Sequence, residues 1–163
     1  MAHEFGHHFA GLADEYYAGS VAYEDLPGGN VEPWEPNVTA LLDPAKLKWR
    51  ELVLPDTPVP TPWNKAEFEK RSWESQGRRK APQAEEASEQ AADAARRERR
   101  ERLIELLGKN EYAGKVGVFE GAMYVAKGLY RPSVDCLMFE MTEARFCPVC
   151  SRTIERIIDL YAR

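Results

Sequence analysis

Two histidines four residues apart, His3 and His7, bracket a glutamate at position 4. On a helix that spacing rotates the second side chain about 40° from the first and moves it about 6 Å along the axis, so both imidazoles can converge on one ion. Glu4 follows the first histidine and reaches the open side of such an ion rather than the ion itself. Two ligands, one general base and one coordination position left for water are what a zinc hydrolase requires. The five-residue pattern alone is only moderately specific. All three histidines of the chain nevertheless fall within six residues, which concentrates the signal.

A third ligand must be another residue type, because no histidine follows His8. His8 lies about 140° around the helix from His3 and faces elsewhere. It reads as a surface residue or as one that supports the ligands from behind. Carboxylates also bind zinc. Gly11 can take backbone angles closed to other residues and turn the chain back toward the metal, which makes Asp14 the first candidate and Glu15 the second. The chemistry expected is peptide-bond hydrolysis by a metal-activated water, with Glu4 taking its proton and passing it to the leaving amine. Tyr16, Tyr17, Tyr124 and Tyr130 are unranked candidates for a further donor to the carbonyl oxygen.

The elements that must carry these groups are mostly helical, joined by long irregular loops. Residues 1–10 form a short helix ended by Gly11. Residues 18–42, rich in Gly, Pro and Asn, form a loop. Asp43-Pro44 starts a short helix with Asp as cap and Pro in its first turn, and Leu47, Trp49 and Leu52 give it an apolar side. Pro55, Pro58, Pro60 and Pro62 then enforce extended backbone. Residues 64–107 form a charged helical excursion, dense in Glu, Gln, Ala and Arg. Its acids and bases alternate without aromatics from Glu85 on, which favours a solvated excursion over a partner-binding arm. Val116–Phe119 is a strand candidate. The small apolar run Gly121–Gly128 reads as a buried helix. A last helix starts at Pro148 and places Cys150, Ile154, Ile157, Ile158 and Tyr161 on one face.

The chain of 163 residues has room for one domain with a core. With 44% apolar and 30% charged residues it reads as soluble and globular. A net charge of −5 gives no general attraction to nucleic acid or anionic membrane. No apolar run is long enough to span a bilayer, and no signal peptide is recognisable. A first candidate ligand at position 3 reads as a late start within a longer protein. The three cysteines, Cys136, Cys147 and Cys150, are odd in number. At least one is therefore free, paired between chains or on a metal. Cys147-Pro148-Val149-Cys150 has the spacing of a redox pair or of half a zinc site, but a four-cysteine site lacks its second pair. A disulfide from Cys136 to Cys147 or Cys150, or buried thiols, is the favoured reading.

The run from His3 to Tyr17 resembles the IgA peptidase family of the metzincin clan. Metzincins place a glycine three residues past the second histidine and a third ligand three further on. Counted from His7, those positions hold Ala10 and Ala13; counted from His8, they hold Gly11 and Asp14, so the loop is one residue longer than the clan pattern. The resemblance extends through Glu35–Thr39, Lys48-Trp49, Thr57–Pro62, Val118–Ala122, Gly128–Met138 and Phe146–Cys150. It implies a zinc-dependent endopeptidase acting on protein or peptide substrates, secreted or in the cell envelope. It also implies the lower and C-terminal part of a zincin catalytic domain, residues 1–163, with residues 64–107 inserted and the upper sheet missing. Met138 would be the methionine of the tight turn beneath the zinc. With the substrate platform outside the chain, weak zinc binding and poor cleavage are expected. An inactive zinc-binding remnant and a helical interaction module are the alternatives. Neither the residues nor the resemblance sets an oligomeric state or a cleavage specificity.

Overall fold

The computed structural model describes residues 2–17, 30–79, 89–139 and 145–162. It is mostly helical with a small two-stranded sheet. Positions 18–29 of the expected loop, and positions 80–88 of the charged stretch, lie outside the described residues.

Helix α1 runs Ala2–Ala10. Gly11 ends it at φ +60°, the left-handed conformation that glycine adopts without a Cβ clash. Its N–H donates to the His7 carbonyl at 3.1 Å, and Leu12 N–H donates to Gly6 O at 3.2 Å. These bonds reverse the chain into an extended segment, residues 12–17. Asp43 caps a one-turn helix, Pro44–Lys46, by accepting from Ala45 N–H, as its Asp-Pro start predicts.

Helices α2 (Lys65–Arg79) and α3 (Glu89–Gly108) account for most of the charged stretch. Pairs one turn apart, such as Glu67–Arg71 and Glu105–Lys109, lie in solvent, where such pairs add little to stability. The stretch is anchored at its ends. Phe68 and Leu103, Leu106 and Leu107 are buried with Tyr17, Trp49, Phe119, Met138 and Cys150 in the main core. Asn64 Nδ2 also donates to Leu106 O at 2.7 Å.

The apolar run at Gly121–Gly128 is a β-hairpin, not a helix. Strand β1 (Phe119–Ala122) pairs antiparallel with β2 (Val125–Arg131). Met123 and Tyr124 both have positive φ, 49° and 66°, the two-residue turn that matches strand twist. Helix-like composition yields here because the ladder satisfies the backbone while Ala122, Val125 and Leu129 bury a second small core with Ala13, Val38 and Ala40. The expected strand at Val116–Phe119 starts only at its last residue; Val116–Val118 precede the ladder. Gly121, at φ +105°, leaves room for the Tyr17 ring, whose Cε1 lies 2.3 Å from where a Cβ would stand.

Helix α4 spans Pro148–Tyr161. Its expected apolar face is buried only at its start: Cys150 is enclosed, whereas Ile158 and Tyr161 are 49% and 83% exposed. No described helix is long and apolar enough to cross a membrane.

Candidate metal centre

His3 sits in the first turn of α1, where backbone donors lack helical partners. Its side chain is nevertheless tied down. Nδ1 donates to the Leu137 carbonyl, 134 positions away, at 3.0 Å. His7 Nδ1 donates to the Leu12 carbonyl at 2.6 Å, just past the Gly11 turn. A carbonyl can only accept, so each Nδ1 carries a proton, which leaves each Nε2 as the atom that could turn a lone pair to a metal.

Those two atoms meet. His3 Nε2 and His7 Nε2 are 3.0 Å apart, and Asp14 Oδ1 lies 3.0 Å from the first and 3.1 Å from the second. Three such atoms this close require positive charge among them, a proton or a metal ion. Donors about 2.0–2.1 Å from a tetrahedral zinc lie roughly 3.3 Å from one another, so these edges suit that ion. The donor set, two imidazoles and a carboxylate, is of the type found in catalytic zinc sites.

The segment after Gly11 is held from three sides. Asn37 pairs with Ala13 like a strand residue, accepting from Ala13 N–H at 2.8 Å and donating to Ala13 O at 2.9 Å. Met138 O accepts from Glu15 N–H at 2.8 Å. The hairpin turn adds Met123 N–H to Asp14 O at 3.0 Å and Tyr124 N–H to Tyr16 O at 2.9 Å. Consecutive residues of extended backbone face opposite ways. Asp14 faces the histidines, and Glu15 points into the core beside the cysteines. Glu15 is fully buried, and burial, with the nearby Cys136, pushes its carboxyl well above the usual range.

Of the four tyrosines, Tyr124 and Tyr16 reach the site. Tyr124 Oη donates to Asp14 Oδ2 and lies 2.9 Å from Tyr16 Oη. Tyr16 also stacks over the His3 ring at 6.4 Å. Burial raises both phenol pKa values; the Asp14 carboxylate adds to each, and Glu4 adds to that of Tyr16. Tyr17 is buried against Gly121, and Tyr130 bridges Thr39. Neither meets the centre in a recorded bond. The residue that sequence reasoning gave no role is Asn37, one of the asparagines of the Gly- and Pro-rich loop, which carries no chemical signal of its own.

Glu4 and His8 are exposed on α1. Beneath the helix, Met138 is fully buried, and its Sδ lies 2.9 Å from where a Gly6 Cβ would stand. The methionine thus packs directly under the turn between the two histidines. The three cysteines are free, buried thiols, so neither disulfide expected from Cys136 is formed.

A family model for IgA peptidase M64 matches residues 1–158. The chain belongs to this family. The matched range contains every residue of the centre, from His3 to Met138, and the first turns of α4. The family is one of peptidases, hydrolases whose substrates are proteins or peptides. No curated protein matches the chain.

Proposed function

We propose that the chain is a zinc metallopeptidase in which His3, His7 and Asp14 hold the metal and Glu4 is the general base. The observation that carries this reading is the meeting of three lone-pair donors at 3.0–3.1 Å, each imidazole fixed by its other nitrogen. Outer hydrogen bonds of that kind set the tautomer and ring direction of zinc-bound histidines. Zinc at such a site supplies Lewis acidity, lowering the pKa of water toward about 7 and polarising a carbonyl.

The chain's own groups do the rest. Glu4, exposed beside His3, accepts the proton of the attacking water and returns it to the leaving amine. Tyr124 holds Asp14 by Oδ2, which keeps Oδ1 toward the histidines. Tyr16 is our choice for the donor to the developing oxyanion. Its raised pKa keeps the proton on the phenol through neutral pH. The Met138 contact under Gly6 supports a metzincin-like arrangement, in which a methionine turn supports the ligands from below.

Replacing Glu4 with Gln tests the assignment. Zinc content is expected to stay at the wild-type level while casein hydrolysis falls by about 10²–10⁴-fold. His7→Ala is expected to lose zinc and activity together. Hydrolysis at the wild-type rate by Glu4→Gln overturns the assignment.

A further inference from the structure

We propose that Cys136, Cys147, Cys150 and Glu15 form a second, structural metal site for a thiolate-preferring divalent ion, zinc foremost. The peptidase reading is not needed for it. The four residues come from three separate segments: the one after Gly11, the one leading to Met138, and the start of α4. Their donor atoms all lie within 4.8 Å of one another.

The spacing is that of a cage rather than a bond. Cys136 Sγ and Cys150 Sγ are 3.8 Å apart. A disulfide needs about 2.05 Å, whereas two sulfurs at about 2.3 Å from a tetrahedral zinc stand roughly 3.8 Å apart. Cys150 Sγ lies 3.3 Å from Glu15 Oε1. The Cys-Pro-Val-Cys spacing supplies two ligands and Cys136 a third. Glu15 supplies the fourth, which makes a second cysteine pair unnecessary.

The surroundings leave one acceptor without a protein partner and favour charge at Cys147. Glu15 Oε2 is buried with no hydrogen-bond partner among the described residues, a costly arrangement for a carboxyl group in the core. Glu15 Oε1 is oriented by Asn37 Nδ2 at 3.0 Å. Cys147 N–H donates to Cys136 Sγ at 3.3 Å, and Cys147 stands at the positive end of the 14-residue α4. The four residues are between 0% and 5% exposed. A closed four-ligand shell without room for water marks a structural site rather than a catalytic one. A cavity of about 360 Å³ reaches the cluster at Cys147, beside Phe146 and Pro148.

Such an ion would staple α4 and the Met138 segment to the residue next to Asp14. The test uses the full chain, reduced and handled without oxygen, with His3→Ala and His7→Ala removing the other centre. Cobalt(II) is the probe. One cobalt per chain is expected, with thiolate-to-cobalt absorption in the near ultraviolet and three thiols that resist iodoacetamide until a chelator is added. Cys150→Ser is expected to weaken cobalt binding by more than about 100-fold, and Glu15→Gln by about 10–100-fold with the absorption retained. Where a variant fails to fold, zinc–sulfur scattering at about 2.3 Å in the zinc-loaded wild-type chain decides the matter. A His3→Ala, His7→Ala chain that folds but gives no thiolate-to-cobalt band overturns the proposal. So does a wild-type chain whose bound zinc has no sulfur neighbour.

Discussion

Asp14 and Glu15 are neighbours in the chain and serve opposite environments. Asp14 joins two histidines at a partly open site; its side chain is 13% exposed and that of His7 27%. Glu15 joins three cysteines in a region closed to solvent. The donors differ accordingly: imidazole and carboxylate on the open side, sulfur on the closed side. An ion on the open side keeps a position for water and substrate, whereas one on the closed side can only hold structure. In the proposed assignments, two residues of one segment divide chemistry from support. Anything that shifts this segment moves both.

Asn37 is where the two regions share a support, so its loss is expected to have the largest effect on stability. Asn37→Ala strands the N–H and C=O of buried Ala13 and removes the bond to Glu15 Oε1. At about 1–3 kcal/mol per stranded group, urea denaturation is expected to show a loss of roughly 3–5 kcal/mol, with metal affinity weakened at both centres. Weakening at one centre alone would break the idea of a shared support.

Tyr124→Phe separates the regions. It keeps the ring and removes the hydrogen bond to Asp14. Zinc affinity at the histidine centre is expected to fall by about 10–100-fold, with thiol reactivity at the cysteines unchanged. Competitive titration against a chelator measures the first and iodoacetamide labelling the second.

Gly6→Ala probes the floor of the open site. Alanine favours a helix by about 1 kcal/mol over glycine. Its Cβ would, however, meet Met138 Sδ at 2.9 Å and Phe146 Cε1 at 3.1 Å in a filled core. Overpacking of about 1–3 kcal/mol is expected to prevail over that gain, giving a net thermal destabilisation of up to about 2 kcal/mol. A rise in Tm would show that Met138 yields freely.

The smallest effect is expected at the surface of α4. Arg152 pairs with Glu51 at 2.5 Å; the two side chains are 32% and 49% exposed. The Glu51 carboxyl is held below its usual range, first by its own backbone N–H and then by Arg152. Its stabilisation is therefore present above the unfolded carboxylate pKa and is lost as pH falls through the lower folded value. Arg152→Ala is expected to cost under about 1 kcal/mol at pH 7 and less still in acid. A larger loss by thermal melting would mean that surface pairing, not the buried cluster, holds α4.

Much of the open site was legible because its signal is local. Helical spacing alone brings His3 and His7 together, and a glycine turn suffices to return Asp14. The start of α4 was equally readable from Pro148. The Gly121–Gly128 run misled because its turn residues, Met123 and Tyr124, are not those that usually adopt positive φ. Without that signal, small apolar residues read as helix. The tyrosines could not be ranked, because the hairpin that selects Tyr124 had been read as something else. The three cysteines are legible as a group, Cys147 and Cys150 even as half a zinc site, but Glu15 as their partner is not, because it lies more than a hundred positions away and sequence spacing carries no information over that distance.

The central claim is that His3, His7 and Asp14 together hold zinc. Anomalous diffraction at the zinc edge from zinc-soaked crystals tests it most directly. The account predicts a peak within about 2.0–2.2 Å of His3 Nε2, His7 Nε2 and Asp14 Oδ1. A folded chain whose crystals show no zinc between the histidines, or zinc held there by Glu4 or His8 in place of Asp14, would contradict it.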